Sequence, residues 1–278
     1  MNASPVWFIT GASSGFGRAF AAYALSRQYR VVATARNLKT VDAIAEQHPD
    51  RVLVLRMDVN KGTQIDEAVR QTLTRFGRVD VLINNAGYGI VGAVEETPEE
   101  ELRAQMETNF FGAVAVTRAF LPQFRRQGYG AIVNISSLGG RLSYPGFGAY
   151  SASKFALEGI SEALARELKP LGIKVLIVEP GQFRTDLAGA GMRHMPEIGA
   201  YAESVGPIRQ FARTMHGTQE GDPWKVARAI DLALRDENTP LRLQLGRDAV
   251  DAIRSHAEGM LADLKRWEPL AIDTRITE

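Results

Sequence analysis

The segment Val6-Trp7-Phe8-Ile9-Thr10-Gly11-Ala12-Ser13-Ser14-Gly15-Phe16-Gly17 sets the architecture of this chain. Val6–Thr10 is short and apolar with β-branched residues, the pattern of a buried strand. Glycines follow at 11, 15 and 17, and an alanine-rich run, Phe16–Gln28, continues with helical periodicity. Strand, tight turn and helix N-terminus thus form one unit. Glycine lets the backbone turn sharply and lets a ligand come close. The helix start offers free N–H groups and partial positive charge. Ser13 and Ser14 add hydroxyl donors. This unit suits a diphosphate; without further context the same residues would only join a strand to a helix.

The pattern repeats outward from there. Strands are expected at Val31–Ala35, Val52–Met57, Val79–Asn84, Ala131–Ser136, Lys174–Val178 and Leu241–Leu245. Amphipathic helices are expected near Val41–Gln47, Gln64–Phe76, Glu99–Arg126, Ala149–Leu168, Trp224–Arg235 and Ala249–Trp267. Pro98 suits a first helical turn, with Thr97 as its cap. Pro170 and Gly172 stop the long helix. Alternating strands and helices predict an α/β fold: a doubly wound, mostly parallel sheet of about seven strands with helices on both faces. Such sheets bind ligands beyond the carboxyl ends of their strands. Residues 182–222 show no clear strand and are rich in Gly, Met, Arg and Pro, as expected of a segment covering a substrate. With no repeat or linker, residues 1–278 are expected to form one catalytic domain, closed by a helix at about 249–267.

Composition narrows the function. The 278 residues carry a net charge of +1, which gives no reason to expect nucleic acid as a partner. The absence of cysteine excludes disulfides and thiolate chemistry. The four histidines, His48, His194, His216 and His256, are scattered, and no metal site is expected. No apolar run reaches the ~20 residues of a membrane span. No signal peptide is recognised, so a cytoplasmic protein is expected.

The second strand ends Ala33-Thr34-Ala35-Arg36-Asn37. In dinucleotide folds an acid here grips the ribose 2′-hydroxyl of NAD. Ala35 stands in its place and Arg36 follows, suited to pair with a 2′-phosphate. NADP(H) is therefore the expected cofactor, with NAD(H) as the alternative. Tyr150-Ser151-Ala152-Ser153-Lys154 opens a helix, and residues four apart share one face. A phenol of ordinary pKa about 10 is a poor acid–base at neutral pH. An adjacent ammonium favours the phenolate and is expected to lower that pKa. Ser137, at the end of the fifth strand, offers a hydroxyl to a substrate oxygen, with Ser136 as its rival.

These residues together resemble the short-chain dehydrogenase/reductase family in its compact, single-domain form. Thr10–Gly17 is similar to its TGxxxGxG turn. Asp58-Val59 resembles the pair that contacts adenine. Asn85, Ala86 and Gly87 belong to a segment similar to NNAG, and Asn109 resembles the family's helix asparagine. Ser137, Tyr150 and Lys154 match the catalytic serine and the YxxxK pair. Pro180-Gly181, Phe183 and Thr185 resemble the PGxxxT segment beside the nicotinamide. The resemblance implies a Rossmann-like fold and hydride transfer between nicotinamide and a carbonyl or alcohol. It implies Tyr150 as general acid/base, Lys154 as its activator and ribose anchor, and Ser137 as orienter of the substrate oxygen. It gives Asn109 the role of holding a water in a proton relay. Asn85 and Asp58 read equally well as structural residues. A non-catalytic NADP(H)-binding sensor is the competing reading.

Phe183, Leu187, Met192, Met195, Ile198, Tyr201, Ile208, Phe211 and Met215 could line an apolar pocket or form the segment's own core. The Pro-Gly-Gln-Phe-Arg-Thr stretch and the C-terminal region look most like bacterial relatives of retinol and 17β-hydroxysteroid dehydrogenases. That resemblance implies an apolar small-molecule ketone or alcohol. A homodimer or homotetramer is expected, as in many relatives, with the helices at Glu99–Arg126 and Ala149–Leu168 as its surface.

Overall fold

The computed structural model describes residues 4–276; residues 1–3 and 277–278 of the expected domain span lie outside the described residues. Seven parallel strands form the central sheet: β1 (Val6–Ile9), β2 (Arg30–Ala35), β3 (Val52–Arg56), β4 (Val81–Asn84), β6 (Gly130–Ile135), β7 (Ile173–Pro180) and β9 (Arg242–Leu245). Their order is β3-β2-β1-β4-β6-β7-β9. The chain winds one way from β1 to β3 and then back across to β4, so the crevice opens between β1 and β4. A small parallel pair, β5 (Gly89–Val91) with β8 (Met192–His194), stands apart from the sheet.

Helices α1 (Gly15–Ser26), α2 (Asp42–Gln47), α3 (Gly62–Phe76), α4 (Glu99–Met106), α5 (Ala113–Gln127), α6 (Gly148–Leu168), α7 (Ala202–Thr214), α8 (Pro223–Arg235) and α9 (Arg247–Ile272) complete the chain. Alternate residues of each strand feed opposite faces. Trp7 and Ile9 pack toward Phe20 and Ile230 on the α1–α8 side. Val6 and Phe8 pack toward Val116 and Phe120 on the α3–α5 side. Phe8 and Phe120 meet edge to face with ring centroids 4.6 Å apart. Burying each such side chain contributes about 1.5–3 kcal/mol before entropy is counted.

Four expectations need correction. The helix expected over Glu99–Arg126 is interrupted by a π-helical turn, Glu107–Gly112, between α4 and α5. Thr97 does not cap α4: Pro98 occupies that position and the Thr97 hydroxyl donates back to Ala93 O at 2.9 Å. The 182–222 segment is not strandless, because Met192–His194 pairs with β5 in parallel. It also contains α7. Three residues, of which Arg193 and His194 are exposed, carry no readable strand period, so only the partner strand defines them. Finally, α9 runs five residues beyond the expected end at Trp267.

Candidate functional site

One cleft of about 630 Å³ lies at the carboxyl ends of β1, β4, β6 and β7. Its floor is the turn after β1. Gly11 has φ +66°, which favours glycine, and a Cβ there would come 3.0 Å from Ala86 Cα. Gly17 does not line the cleft but underlies it: a Cβ would sit 2.2 Å from Gly11 O and 2.8 Å from Asn85 Nδ2. Ser14 is the N-cap residue of α1, yet its side chain makes no capping bond. The first N–H groups of α1 are therefore left uncapped by Ser14, and Gly15 N donates to the Asp186 carboxylate at 3.2 Å.

The turn is held from β4. Asn85 Nδ2 donates to Thr10 O at 2.9 Å and Gly11 O at 3.0 Å. Thr10 Oγ1 accepts from Asn85 N and Ala86 N, each at 2.9 Å. Asn85 thus ties β1 to β4, the structural one of its two readings. Asp58 likewise closes its own loop, accepting from Asn60 N at 3.0 Å. Both still line the cleft.

The structure gathers the expected residues. Gly11, Ser13, Ser14, Gly15, Phe16, Arg36, Asp58, Val59, Asn85, Ala86 and Gly87 share its wall with Ser137, Tyr150, Lys154, Pro180, Gly181, Phe183 and Thr185. Arg36 is exposed at one end, and the acids on the wall are Asp58 and Asp186. Asn109 is buried behind the wall in the π-helical turn. Its Nδ2 donates to Tyr88 O and Ser153 Oγ, both at 3.0 Å, and its Oδ1 accepts from Tyr88 N at 3.1 Å. These bonds brace the loop after β4 against α6.

Ser137 lies just past β6, as the cap of a short 3₁₀ turn, accepting from Gly139 N at 3.0 Å. Ser136 turns the other way: a Cβ on Gly140 would meet Ser136 Oγ at 2.5 Å and Glu158 Oε1 at 3.2 Å. Its hydroxyl is thus beside Glu158. Lys154 is buried and Nζ donates to Ile135 O at 2.8 Å, 5.8 Å from the Tyr150 ring centroid. Burial pushes the Lys154 ammonium down to about 8, opposed by the Glu158 charge. The expected lowering of the Tyr150 phenol does not appear. Burial raises it, and the Ser137 hydroxyl alone opposes that. Desolvation of the phenolate outweighs a lysine whose ammonium points to a backbone carbonyl.

Sequence reasoning missed a charged layer behind Lys154. Glu158 is 4% exposed and Glu179 0%. Arg242 reaches Glu158 and Glu162 at 3.0 Å and Glu179 at 3.5 Å, while Arg141 reaches Glu179 at 3.3 Å. Burial and the Glu179 charge push the Glu158 carboxyl up, against its bond to Arg242. A signal existed: Tyr150, Lys154 and Glu158 repeat every four residues on one helix. Asp186 was missed too, since nothing local marks it.

A family model described as short chain dehydrogenase matches residues 5–196. The chain belongs to the short-chain dehydrogenase/reductase family. Members of this family act on CH–OH and C=O groups, so the protein is an oxidoreductase. It is 38% identical to an oxidoreductase of Botryotinia fuckeliana over 96% of this chain and 98% of that one. A 3-ketodihydrosphingosine reductase of Bacteroides thetaiotaomicron is 40% identical over 86% of each chain. Among solved structures, a short-chain dehydrogenase from Streptomyces avermitilis is 51% identical, with a TM-score of 0.92 over 98% of this chain and 100% of that one. A Burkholderia phymatum short-chain dehydrogenase/reductase in complex with NAD is 26% identical, with a TM-score of 0.82 over 94% and 95%. A nicotinamide cofactor follows for this dehydrogenase/reductase. No helix among the described residues is long and apolar enough to cross a membrane.

Proposed function

We propose that this chain reduces an apolar ketone, or oxidises the matching secondary alcohol, with NADP(H). One observation carries the reading: Ser137, Tyr150 and Lys154 share one cleft with the glycine turn and Arg36. The cofactor fits these residues, because Gly11 and Gly17 leave bare backbone where a Cβ would clash and the start of α1 presents N–H groups. Gly11, Ser13, Ser14, Gly15 and Phe16, supported from beneath by Gly17, would hold the diphosphate, and Asp58 and Val59 the adenine. Arg36 would pair with a 2′-phosphate, which favours NADP(H) over NAD(H). Asn85, Ala86, Gly87, Pro180, Gly181, Phe183 and Thr185 would flank the nicotinamide half. When bound, the nicotinamide supplies or accepts the hydride.

The chain's own residues handle the proton. The raised pKa of the buried Tyr150 keeps its phenol protonated, ready to donate to a carbonyl oxygen. Ser137 Oγ orients that oxygen and shares the charge developing on it. As Tyr150 becomes phenolate, the Lys154 ammonium offsets the charge, and the family's ribose contact falls to the same group. Asn109 holds the loop that carries Gly87 and Tyr88 against α6, and in the family pattern also a relay water.

The 182–222 segment covers the substrate end of a single catalytic domain. Phe183, Leu187, Met192, Phe211 and Met215 line the cleft, whereas Met195 packs in a separate small core with Ile90 and Ala149. Ile198 is exposed, the Tyr201 hydroxyl donates to Glu95 at 2.5 Å, and Ile208 packs near Gly146. The segment therefore divides its apolar residues between pocket and scaffold. Leu138, Tyr144 and Phe147 complete an apolar wall, and the named substrate of the Bacteroides relative is consistent with a long-chain ketone.

A panel of aliphatic, aromatic and steroid ketones assayed with NADPH and NADH, by loss of reduced-nicotinamide absorbance, tests this. Turnover of an apolar ketone with NADPH is expected. Tyr150→Phe should lower kcat by about 10²–10⁴-fold with NADPH affinity nearly intact. Tight NADPH binding without turnover of any ketone would refute the catalytic reading, and undiminished turnover by Tyr150→Phe would remove the phenol from the reaction.

A further inference from the structure

Helix α9 carries an apolar face that the rest of the described chain leaves bare. Val250, Ile253, Ala257, Met260, Leu264 and Trp267 follow one another in alternating steps of three and four. That is the spacing of a coiled-coil seam, in which each side chain inserts between residues of a facing helix. The sheet edge accounts only for its beginning: Ala249 is buried, Val250, Ile253 and Ala257 are half-buried, and every residue from Glu258 to Ile272 is exposed. Those last turns extend about 22 Å from the body. Along them Met260 is 60%, Leu264 63% and Trp267 55% exposed, and Leu261, Leu270 and Ile272 are exposed to a similar degree.

We propose that α9 pairs with α9 of a second copy of this chain as an antiparallel two-helix coil. Covering Met260, Leu264 and Trp267 with Leu261 beside them would remove on the order of 500 Å² per copy from water, the size of a weak specific interface. A patch of that size is at the upper end of what monomeric proteins leave exposed, and such patches commonly mark an interaction site. A seam repeating in threes and fours is complementary to itself, which a two-fold interface requires.

Charge selects the orientation. Parallel pairing sets Asp263 against Glu268 of the other copy on both sides of the seam. Antiparallel pairing, with Ala257 packed on Met260 of the other copy, separates Asp263 from Glu268 and sets Arg247 against Glu268. Val250 then meets Trp267 and Ile253 meets Leu264. Charge also argues against a lipid surface. Between Glu258 and Ile272 the acids Glu258, Asp263 and Glu268 outnumber Lys265 and Arg266, whereas helices that lie on membranes carry a basic polar face.

Sedimentation velocity of the full chain from about 1 to about 100 μM tests the proposal. The wild type should sediment as a multiple of its 30.5 kDa mass. Met260→Glu with Leu264→Glu should halve that mass and weaken association by at least about 100-fold, with unchanged far-ultraviolet circular dichroism. The natural chain has no cysteine, so engineered thiols report cleanly. Ala257→Cys with Met260→Cys should give covalent dimers on mild oxidation. A wild type of single-chain mass, or a doubly charged variant that keeps the wild-type mass, would overturn the interface. Cross-linking by Trp267→Cys alone would overturn the antiparallel arrangement. Single-chain mass together with co-sedimentation on phosphatidylglycerol vesicles would assign the face to lipid instead.

Discussion

Gly17→Ala adds one methyl group at the most crowded point beneath the cofactor turn. The new Cβ would lie 2.2 Å from Gly11 O and 2.8 Å from Asn85 Nδ2. Neither neighbour can yield cheaply. Gly11 O belongs to a turn fixed at φ +66°, and Asn85 Nδ2 donates to both Thr10 O and Gly11 O. The backbone must move by about 1 Å, or Asn85 must release its acceptors. Overpacking costs about 1–3 kcal/mol, and leaving a buried acceptor unpaired costs about 1–3 kcal/mol more. A loss of about 3 kcal/mol should lower Tm by about 6–12 °C in a chain of this size. Because the displaced atoms are the floor of the proposed diphosphate site, NADPH affinity should fall by at least about tenfold. Gly159→Ala is the control. Gly159 also lies inside a helix, α6, but a Cβ there meets nothing within 4 Å. That change should stabilise the protein by about 0.5–1 kcal/mol through helix propensity. Thermal denaturation with a fluorescence titration of NADPH reads both variants. Equal Tm values, or a Gly17→Ala protein with wild-type NADPH affinity, would refute the steric argument.

Three further expectations rest on charge. Arg36→Asp should shift the kcat/KM ratio of NADPH to NADH toward NADH by at least about tenfold, the loss of one charge-assisted contact; an unmoved ratio would show that Arg36 does not read the phosphate. Asp186→Asn removes a carboxylate docked on Gly15 N, where the diphosphate is expected, so NADPH should bind a few-fold tighter, and weaker binding in a titration would count against that placement. Glu158→Gln removes the negative charge that holds the Lys154 ammonium up against burial. Lys154 then deprotonates below about 8 rather than near it, so the alkaline limb of kcat/KM for ketone reduction should move to lower pH. The groups facing Glu158 that remain are Glu162 on its own helix, Glu179 on β7, Arg242 on β9 and the Ser136 hydroxyl. A limb that stays in place would remove Glu158 from the electrostatics of the lysine.

Local sequence already contained the inner strands, because β1, β2, β4, β6 and β7 are short apolar runs bounded by turns and buried on both faces, while the edge strands β3 and β9 are only partly buried. It contained the glycine turn for the same reason: backbone geometry that only glycine adopts leaves a mark in one residue. The Ser137, Tyr150 and Lys154 set was legible through spacing along β6 and α6. What it could not supply were contacts made across the fold. Asn109 lies in a π-helical turn whose apolar period looks helical throughout, and its three bonds reach Tyr88 and Ser153. Strand β8 exists only because β5 pairs with it. The sign of the Tyr150 shift was misjudged because spacing reveals a neighbouring lysine but not the depth of burial that outweighs it.

Sequence by itself therefore determined the alternating elements, the glycine turn after β1 and the grouping of Ser137, Tyr150 and Lys154, since each depends on residues close together in the chain. Tertiary structure alone decided which of the 182–222 side chains face the cleft, that Asp186 meets the start of α1, and that Glu158 and Glu179 share Arg242 behind the lysine. Those contacts join residues far apart in the chain, and their energies are set by burial and distance, which local spacing does not encode.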